Sequence, residues 1–364
     1  MTIPTRLLLG PGPSEPHPRV LKAQAQPLLG HLDPAFLQIM TDTQTMLRQV
    51  LQTKNAFTLP VSGTGMAGME CVVVNLIEPG DKMLVCSAGF FGDRMANIAQ
   101  RAGASVTTIP GEWGDCFDLN TIETALKQHR PKVLGIVQAE TSTGVLQPID
   151  KLGELCHRYD TLLAVDAVTS LATAPLDVDA WQIDALYSGT QKGLGCPPGL
   201  APVTFSDRAV ETIKHRKTPV QSYYLDIVEL MKYWGSERMY HHTAPISSVY
   251  ALHEGLAIVL AEGLPARWER HRTNWSILKS GLHSLGLKYL TKEHCQLPAL
   301  SAVLIPDGID DMAVRKRLLT EFGIEIGGGL GVYKGKLWRI GLMGYSSRAE
   351  NVERLLGALR KCLG

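Results

Sequence analysis

The chain lacks several features that would assign it to a special class of protein. Its 36 basic residues are balanced by 35 acidic ones, so the net charge of +1 gives no electrostatic basis for binding a nucleic acid or an anionic membrane. No uncharged apolar run reaches the length of a membrane span, and the first residues lack the pattern of a signal peptide. The sequence therefore predicts a cytoplasmic protein with no nucleic-acid or membrane partner.

Cysteine occurs seven times, but in a pattern that predicts neither a disulfide framework nor a zinc site. The number is odd, the spacing is irregular, and no two cysteines form a Cys-x-x-Cys pair. The adjacent His241 and His242 would point to opposite faces of a strand, and no carboxylate or cysteine lies at ligand spacing from them. We therefore expect reduced thiols and no metal.

What the chain does have is length and a regular alternation of two kinds of segment. Its 364 residues exceed what one simple core holds, so two domains are expected. From about residue 55 to 255, short apolar runs alternate with helix-like stretches, which predicts an α/β fold with a mostly parallel sheet flanked by helices. The predicted strands are 82–87, 105–110, 133–139, 162–166, 185–188 and 203–206, and the predicted helices are 67–77, 93–102, 119–129 and 149–159.

A smaller α+β domain is predicted to follow the sheet. A helix at 246–261 leads into predicted strands at 300–305 and 336–341 and predicted helices at 311–322 and 348–362. The expected organisation is an N-terminal arm (1–20), a large domain (21–255) and a small C-terminal domain (256–364).

Lys192 and Asp166 are the residues that point most directly to chemistry. They are 26 residues apart (192 − 166); Asp166 ends the predicted strand 162–166, and Lys192 lies just after the predicted strand 185–188. Ligands collect beyond the carboxyl ends of parallel strands. A lysine there can form a Schiff base, and an aspartate can hold a pyridinium nitrogen in its protonated form. These are the two protein groups that a pyridoxal phosphate (PLP) enzyme needs most.

Three further segments favour a ligand site but leave a structural alternative open. Residues 62–68 (SGTGMAG) precede a predicted helix and suit either a bound phosphate or a plain capped turn. Residues 140–144 (ETSTG) follow a predicted strand, either as hydroxyls of a site or as a polar turn. Arg339 lies inside an apolar strand and needs an anionic partner, which is either a substrate carboxylate or a structural ion pair.

Taken together, these motifs resemble the class V (small-subgroup) aminotransferases, and most closely the alanine–glyoxylate and serine–glyoxylate (serine–pyruvate) aminotransferase family. The resemblance runs nearly end to end and rests on LGPGPS at 9–14, SGTG at 62–65, ETSTGVLQP at 140–148, VDAV at 165–168, YSGTQK at 187–192, MYHHT at 239–243, GGGLG at 327–331 and RIGLMG at 339–344. It implies the type I fold of PLP-dependent transferases and PLP as cofactor. It also implies transamination of alanine or serine with glyoxylate, which gives a 2-oxo acid and glycine.

The resemblance further implies a role for each matching residue. Lys192 forms the Schiff base with PLP, Asp166 pairs with the pyridine nitrogen, and Val168 packs on one face of the ring. Phe91 stacks on the other face, where several relatives have tryptophan. The remaining cofactor-binding residues implied are Thr64, Gly65, Met66, Thr141 and Gln191, with Met66 standing where some relatives carry histidine and Thr141 where some carry serine.

Substrate and subunit roles are implied in the same way. Arg339 binds the substrate carboxylate, helped by the backbone near Gly12, and Thr141 lies near both cofactor and substrate. Tyr240 and Thr243 reach the phosphate of a neighbouring subunit, which implies a homodimer with shared active sites. The expected ligands are small amino acids and 2-oxo acids.

Three alternatives remain open at this point. The first is another class V activity, with a different amino donor or as a lyase such as a desulfurase, which needs a reactive cysteine on a mobile loop. The second is a non-catalytic PLP-binding relative. The third is an unrelated α/β protein in which these motifs are accidental.

Overall fold

The apolar runs of the sequence form the strands of the largest sheet in the computed structural model, which describes residues 3–364. The strands are β1 (Leu7–Leu8), β2 (Phe57–Ser62), β3 (Lys82–Ser87), β4 (Ser105–Pro110), β5 (Val133–Val137), β6 (Ala139–Glu140), β7 (Val145–Leu146), β8 (Leu162–Asp166), β9 (Ala185–Tyr187), β10 (Leu200–Phe205), β11 (Lys288–Tyr289), β12 (Leu300–Leu304), β13 (Ile324–Glu325), β14 (Gly327–Gly328) and β15 (Leu337–Gly341).

Helices separate most of these strands. They are α1 (Pro18–Gln24), α2 (Pro34–Leu51), α3 (Gly65–Leu76), α4 (Phe90–Arg101), α5 (Leu119–His129), α6 (Leu152–Arg158), α7 (Asp207–Lys214), α8 (Ile227–Trp234), α9 (Ile246–Glu262), α10 (Leu264–Ser284), α11 (Asp311–Glu321) and α12 (Ala349–Leu363). No helix within residues 3–364 combines the length and the apolar character that crossing a bilayer requires.

The large sheet has seven strands in the order β2-β10-β9-β8-β5-β3-β4. Strand β10 runs antiparallel to both of its neighbours, and the other pairs are parallel. Strands β5, β8, β9 and β10 are buried along their whole length, because helices cover both faces of the sheet. This confirms the predicted fold class and explains why these strands read as continuous apolar runs.

A second, four-stranded antiparallel sheet has the order β11-β12-β15-β14. It has a hydrophobic core of its own, to which α10, α11 and α12 contribute. The N-terminal arm joins this part of the chain, because β1 pairs in parallel with β13. Helix α9 continues without a break through residue 255, so the predicted domain boundaries stay a prediction.

Candidate active site

A cleft with an empty volume of about 500 Å³ opens beyond the carboxyl ends of the central parallel strands. Asp166 is the last residue of β8, and Tyr187 is the last residue of β9, so the sheet delivers both side chains to the same edge. The cleft is lined by Thr64, Gly65, Met66, Met69, Phe91, Ala139, Thr141, Asp166, Val168, Tyr187, Gln191 and Lys192.

The structure brings together nearly all of the residues that the sequence assigned to a cofactor. Only Tyr240 and Thr243 of that group do not line the cleft. Of the two remaining substrate residues, Gly12 lies against the Lys192 side chain, and Arg339 is buried in β15. Sequence reasoning missed Met69, Ala139 and Tyr187 as lining residues.

Asp166 is a buried carboxylate whose two oxygens are both oriented by the protein. The backbone amide of Val168 donates to Oδ1 over 2.8 Å, and the hydroxyl of Tyr187 donates to Oδ2 over 2.7 Å. Burial nevertheless raises the pKa of Asp166 to about 7, against the lowering effect of these two hydrogen bonds. A cation placed beside this carboxylate would restore its negative charge at neutral pH.

Lys192 is the buried base that faces this carboxylate. Its Nζ donates a hydrogen bond to the carbonyl oxygen of Pro11. Burial, and then the positive charge of Arg339, lower the pKa of Lys192 to about 8, although Asp166 and Glu140 act in the opposite direction. A substantial fraction of this amine is therefore neutral near physiological pH, as a nucleophile or base must be.

The N-terminal arm closes over the lysine. The hydroxyl of Ser14 donates to the carbonyl oxygen of Lys192 over 2.8 Å, and the amide of Ser14 donates to that of Gln191, also over 2.8 Å. A Cβ atom at Gly12, where φ is +119°, would lie 2.7 Å from Nζ of Lys192. Only glycine lets the arm pass this close to the amine.

The start of α3 offers an anion-binding site at one end of the cleft. Thr64 is the N-cap residue, but its side chain makes no capping hydrogen bond, so its hydroxyl is available to a ligand. The first amides of the helix have no partner within it, and the helix dipole favours negative charge here. No acidic residue in the first turn competes for this position.

Gln191 completes the anion-binding end. Its Oε1 is buried without a hydrogen-bond partner. This oxygen and the start of α3 both lie close to Gly189, because a Cβ atom built on Gly189 would be 3.0 Å from the oxygen and 3.4 Å from the amide nitrogen of Gly65. The oxygen and nitrogen of a glutamine amide are interchangeable by rotation. With the amide rotated, its NH₂ group faces the same space as the start of α3.

Glu140 fixes the start of α4, which carries Phe91. Its Oε2 accepts hydrogen bonds from the amides of Phe91 (3.2 Å) and Gly92 (3.3 Å), and its Oε1 accepts from the amide (3.0 Å) and hydroxyl (2.6 Å) of Ser142. Burial raises the pKa of Glu140, and these hydrogen bonds oppose that shift. One carboxylate thus couples α4, with its aromatic ring, to the turn that carries Thr141.

Arg339 reaches toward the lysine from the second sheet. Its Nε donates to the carbonyl oxygen of Gly328 over 2.7 Å, and its Nη1 makes only a long contact of 3.4 Å with the carbonyl oxygen of Thr141. No carboxylate within residues 3–364 forms an ion pair with it. The structural ion pair that the sequence left open is therefore not formed.

Comparison with known proteins agrees with this geometry. The family model described as aminotransferase class V matches residues 19–355. The alanine–glyoxylate aminotransferase of Callithrix jacchus is 45% identical and the match covers 100% of this chain and 89% of the relative. The (S)-ureidoglycine–glyoxylate transaminase of Bacillus subtilis is 42% identical, with 99% of this chain and 91% of the relative covered.

A solved structure is similar throughout the chain. The alanine–glyoxylate aminotransferase of a Nostoc species superimposes with a TM-score of 0.99 at 51% identity, and the match covers 100% of this chain and 97% of that one. The chain belongs to the class V aminotransferases. The resemblance seen in the sequence is thereby confirmed. The third alternative, an unrelated protein with accidental motifs, is therefore wrong.

A class V aminotransferase uses PLP, and the residues of this cleft fit that cofactor. The side-chain amide of Gln191, rotated so that its NH₂ group faces the cleft, and the uncapped start of α3 provide hydrogen-bond donors for a phosphate. The buried Asp166 provides for a cationic ring nitrogen, and Phe91 and Val168 offer apolar surfaces between these two ends.

Proposed function

We propose that this aminotransferase transfers the amino group of a small amino acid, alanine or serine, to glyoxylate, giving a 2-oxo acid and glycine. The observation that carries the proposal is the position of Lys192. Its buried amine lies in the same cleft as Asp166 and within the electrostatic influence of Arg339, which forms no ion pair with a carboxylate of residues 3–364. Two relatives of which the match covers 91% and 89% are named as glyoxylate aminotransferases.

The cofactor would be held at both ends. Thr64, Gly65, Met66 and Gln191 would bind the phosphate at the start of α3, and Asp166 would hold the ring nitrogen in its protonated form. Phe91 and Val168 would pack on the ring faces, and Thr141 would lie beside the ring near the substrate. When bound, PLP supplies an electron sink that lowers the cost of removing the α-proton of the amino acid.

Lys192 would carry the proton in the transfer step. Its neutral Nζ would accept the proton from the substrate Cα and would deliver a proton at a different atom to complete the transfer. The low pKa of Lys192 suits this role, because a base with a pKa of about 8 is partly neutral at physiological pH. Pro11 orients the amine through its carbonyl oxygen.

Arg339 and the N-terminal arm would select the substrate. The guanidinium can bind the substrate carboxylate in a bidentate manner. The backbone at Gly12 lies against the Lys192 side chain and leaves little room there. A small amino donor such as alanine or serine fits such a site better than a bulky one.

A homodimer would complete each active site. Tyr240 is 59% exposed, and Thr243 is also exposed. Tyr223, Tyr224 and Met239 add exposed apolar surface from nearby in the chain. We propose that this surface is buried against a second copy of the chain and that Tyr240 and Thr243 reach the phosphate bound there. A reducing, cytoplasmic location accords with the seven cysteines, all of which are free thiols.

A second candidate for the amino donor is (S)-ureidoglycine, because the Bacillus relative is named for that donor. Its sequence identity to this chain, 42%, is close to the 45% of the Callithrix relative. The lyase alternative has less support, because no cysteine lines the cleft within residues 3–364.

The test is to measure glycine formed from glyoxylate with alanine, serine or (S)-ureidoglycine as donor. The proposal expects the highest kcat/KM with alanine or serine. A clear preference for ureidoglycine would select the second donor, and no glycine with any of the three would contradict glyoxylate as acceptor. Arg339→Met should raise the KM for the amino donor, while Arg317→Met, a matched change on the exposed face of α11, should not.

A further inference from the structure

Four side chains with metal-binding atoms meet at a place that the proposed reaction does not use. Asp115 and Cys116 lie between β4 and α5, and His294 and Cys295 lie in a short 3-10 turn that precedes β12. One ligand atom from each residue lies within 4.8 Å of all the others. Within residues 3–364 this is the one group of this kind.

The spacing of these atoms is close to that of a tetrahedral site. Nε2 of His294 is 3.1 Å from Oδ1 of Asp115, and Sγ of Cys295 is 3.9 Å from the same oxygen. Ligands bound to Zn²⁺ at its usual bond lengths lie roughly 3.3–3.8 Å from one another. Small side-chain rotations therefore suffice to place the four atoms around one ion.

We propose that Asp115, Cys116, His294 and Cys295 bind a Zn²⁺ ion. Two thiolates, one imidazole and one carboxylate form a ligand set that suits zinc, whereas Ca²⁺ and Mg²⁺ prefer oxygen ligands alone. Four protein ligands leave no open position, as in structural rather than catalytic zinc sites.

The neighbouring charges accord with a bound dication. Nζ of Lys292 lies 2.6 Å from Oδ2 of Asp115, which leaves Oδ1 directed toward His294. The amide of Cys116 donates to Oδ1 over 2.8 Å and orients the carboxylate. Two thiolates, the carboxylate of Asp115 and that of Glu112, which also pairs with Lys292 over 3.0 Å, carry four negative charges. Zn²⁺ and the ammonium of Lys292 would neutralise three of them.

The ion would join two parts of the chain that meet beside the active site. The amide of Lys292 donates to the carbonyl oxygen of Gly114 over 2.9 Å, so the two ligand-bearing segments are already in contact. The amide of Leu297 donates to the carbonyl oxygen of Gly144 over 2.9 Å. Gly144 belongs to the turn that carries Thr141, so zinc would stabilise the support of that turn.

The experiment uses the full-length enzyme after treatment with a chelator and a thiol reductant. Zinc is added, and bound zinc per chain is measured by elemental analysis together with the melting temperature. We expect one tightly bound Zn²⁺ per chain and a higher melting temperature. Cobalt added instead should give the intense absorption of a thiolate-bound ion.

Two kinds of variant separate this site from adventitious binding. Cys116→Ser and His294→Ala should each weaken zinc binding by at least about tenfold, and His294 is 62% exposed, so its replacement leaves the core intact. Cys362→Ser changes a thiol outside the cluster and should bind zinc as the wild type does.

Three results would overturn the proposal. The first is zinc binding that Cys116→Ser and His294→Ala leave unchanged. The second is the absence of a tightly bound ion. The third concerns protein purified without reductant. If it has two fewer titratable thiols, if reduction restores both, and if the reduced protein still takes up no zinc, then Cys116 and Cys295 pair as a disulfide instead. All of these readouts are independent of transaminase activity.

Discussion

The hydroxyl of Tyr187 donates a hydrogen bond of 2.7 Å to Oδ2 of Asp166, and both side chains are buried. The two residues are direct neighbours in register at the ends of β8 and β9. This hydrogen bond lowers the pKa of Asp166 and so opposes the effect of its burial. Tyr187 thereby helps to keep Asp166 ionised, as the pairing with a protonated ring nitrogen requires.

Tyr187→Phe should weaken PLP binding and lower kcat. The variant removes a hydrogen bond to a charged group, which contributes about 1.5–3 kcal/mol, so the dissociation constant for PLP should rise by about tenfold or more. Tyr289→Phe is a matched control, because it removes a hydroxyl that bonds to Ser301 in the second sheet. An unchanged PLP affinity in Tyr187→Phe would show that the hydroxyl does not act through Asp166.

Glu140→Gln should disturb the cofactor site without touching the cofactor. The carboxylate accepts hydrogen bonds at both oxygens from Phe91, Gly92 and Ser142, and an amide NH₂ would face at least one of these donors. A loss of about 1–3 kcal/mol in stability is expected, together with weaker PLP binding through displacement of Phe91.

The control for this change is Glu123→Gln, which alters a carboxylate outside the cleft that accepts a hydrogen bond from Tyr159. Denaturant unfolding and PLP titration are measured on both variants. If Glu140→Gln loses stability but binds PLP as tightly as the wild type, Glu140 is structural only.

Lys192 of the apoenzyme should react as a neutral amine from a lower pH than an ordinary lysine. Its pKa of about 8 lies below the usual 10.5, so the neutral fraction rises as the pH increases through 8. Acetylation at a series of pH values, followed by peptide mass spectrometry, should give a midpoint near 8 for Lys192. Arg339→Met removes a charge that lowers this pKa and should move the midpoint upward. A midpoint near 10.5 in the wild type would contradict the electrostatics of the cleft.

Shared active sites predict that two inactive variants restore each other. Lys192→Ala and the double variant Tyr240→Ala/Thr243→Ala should both have low activity. In a mixed dimer, one of the two sites contains Lys192 from one chain and Tyr240 and Thr243 from the other. Unfolding and refolding an equal mixture should therefore recover about a quarter of wild-type activity. If mixed dimers form but no activity is recovered, Tyr240 and Thr243 do not contribute to the active site of the partner subunit.

The sequence predicted the central strands well because they are buried on both faces. The run at 162–166 is apolar until Asp166, and the observed strand β8 has the same bounds. Strand β2 is not among the predicted strands, and it contains Pro60, a residue that is disfavoured in the middle of a sheet. The structure places β2 at the sheet edge, paired only with β10, where proline is tolerated.

Some residues of the active site could be predicted from sequence motifs, whereas the roles of others depend on which strands are paired. Lys192 and Asp166 could be found from their positions after apolar runs. Tyr187 and Glu140 lie inside the motifs, but their roles depend on which strands and turns are neighbours, which the sequence does not give. The proposed zinc ligands were invisible for this reason, since Cys116 and His294 are 178 residues apart (294 − 116).

The most direct test of the central claim is the visible absorption spectrum of the purified enzyme with PLP, recorded after adding alanine and then glyoxylate. The absorption of the bound cofactor should fall with alanine and return with glyoxylate, and Lys192→Ala should not complete this cycle. A wild-type protein that shows no response to either substrate, or a Lys192→Ala variant that turns over normally, would contradict the account.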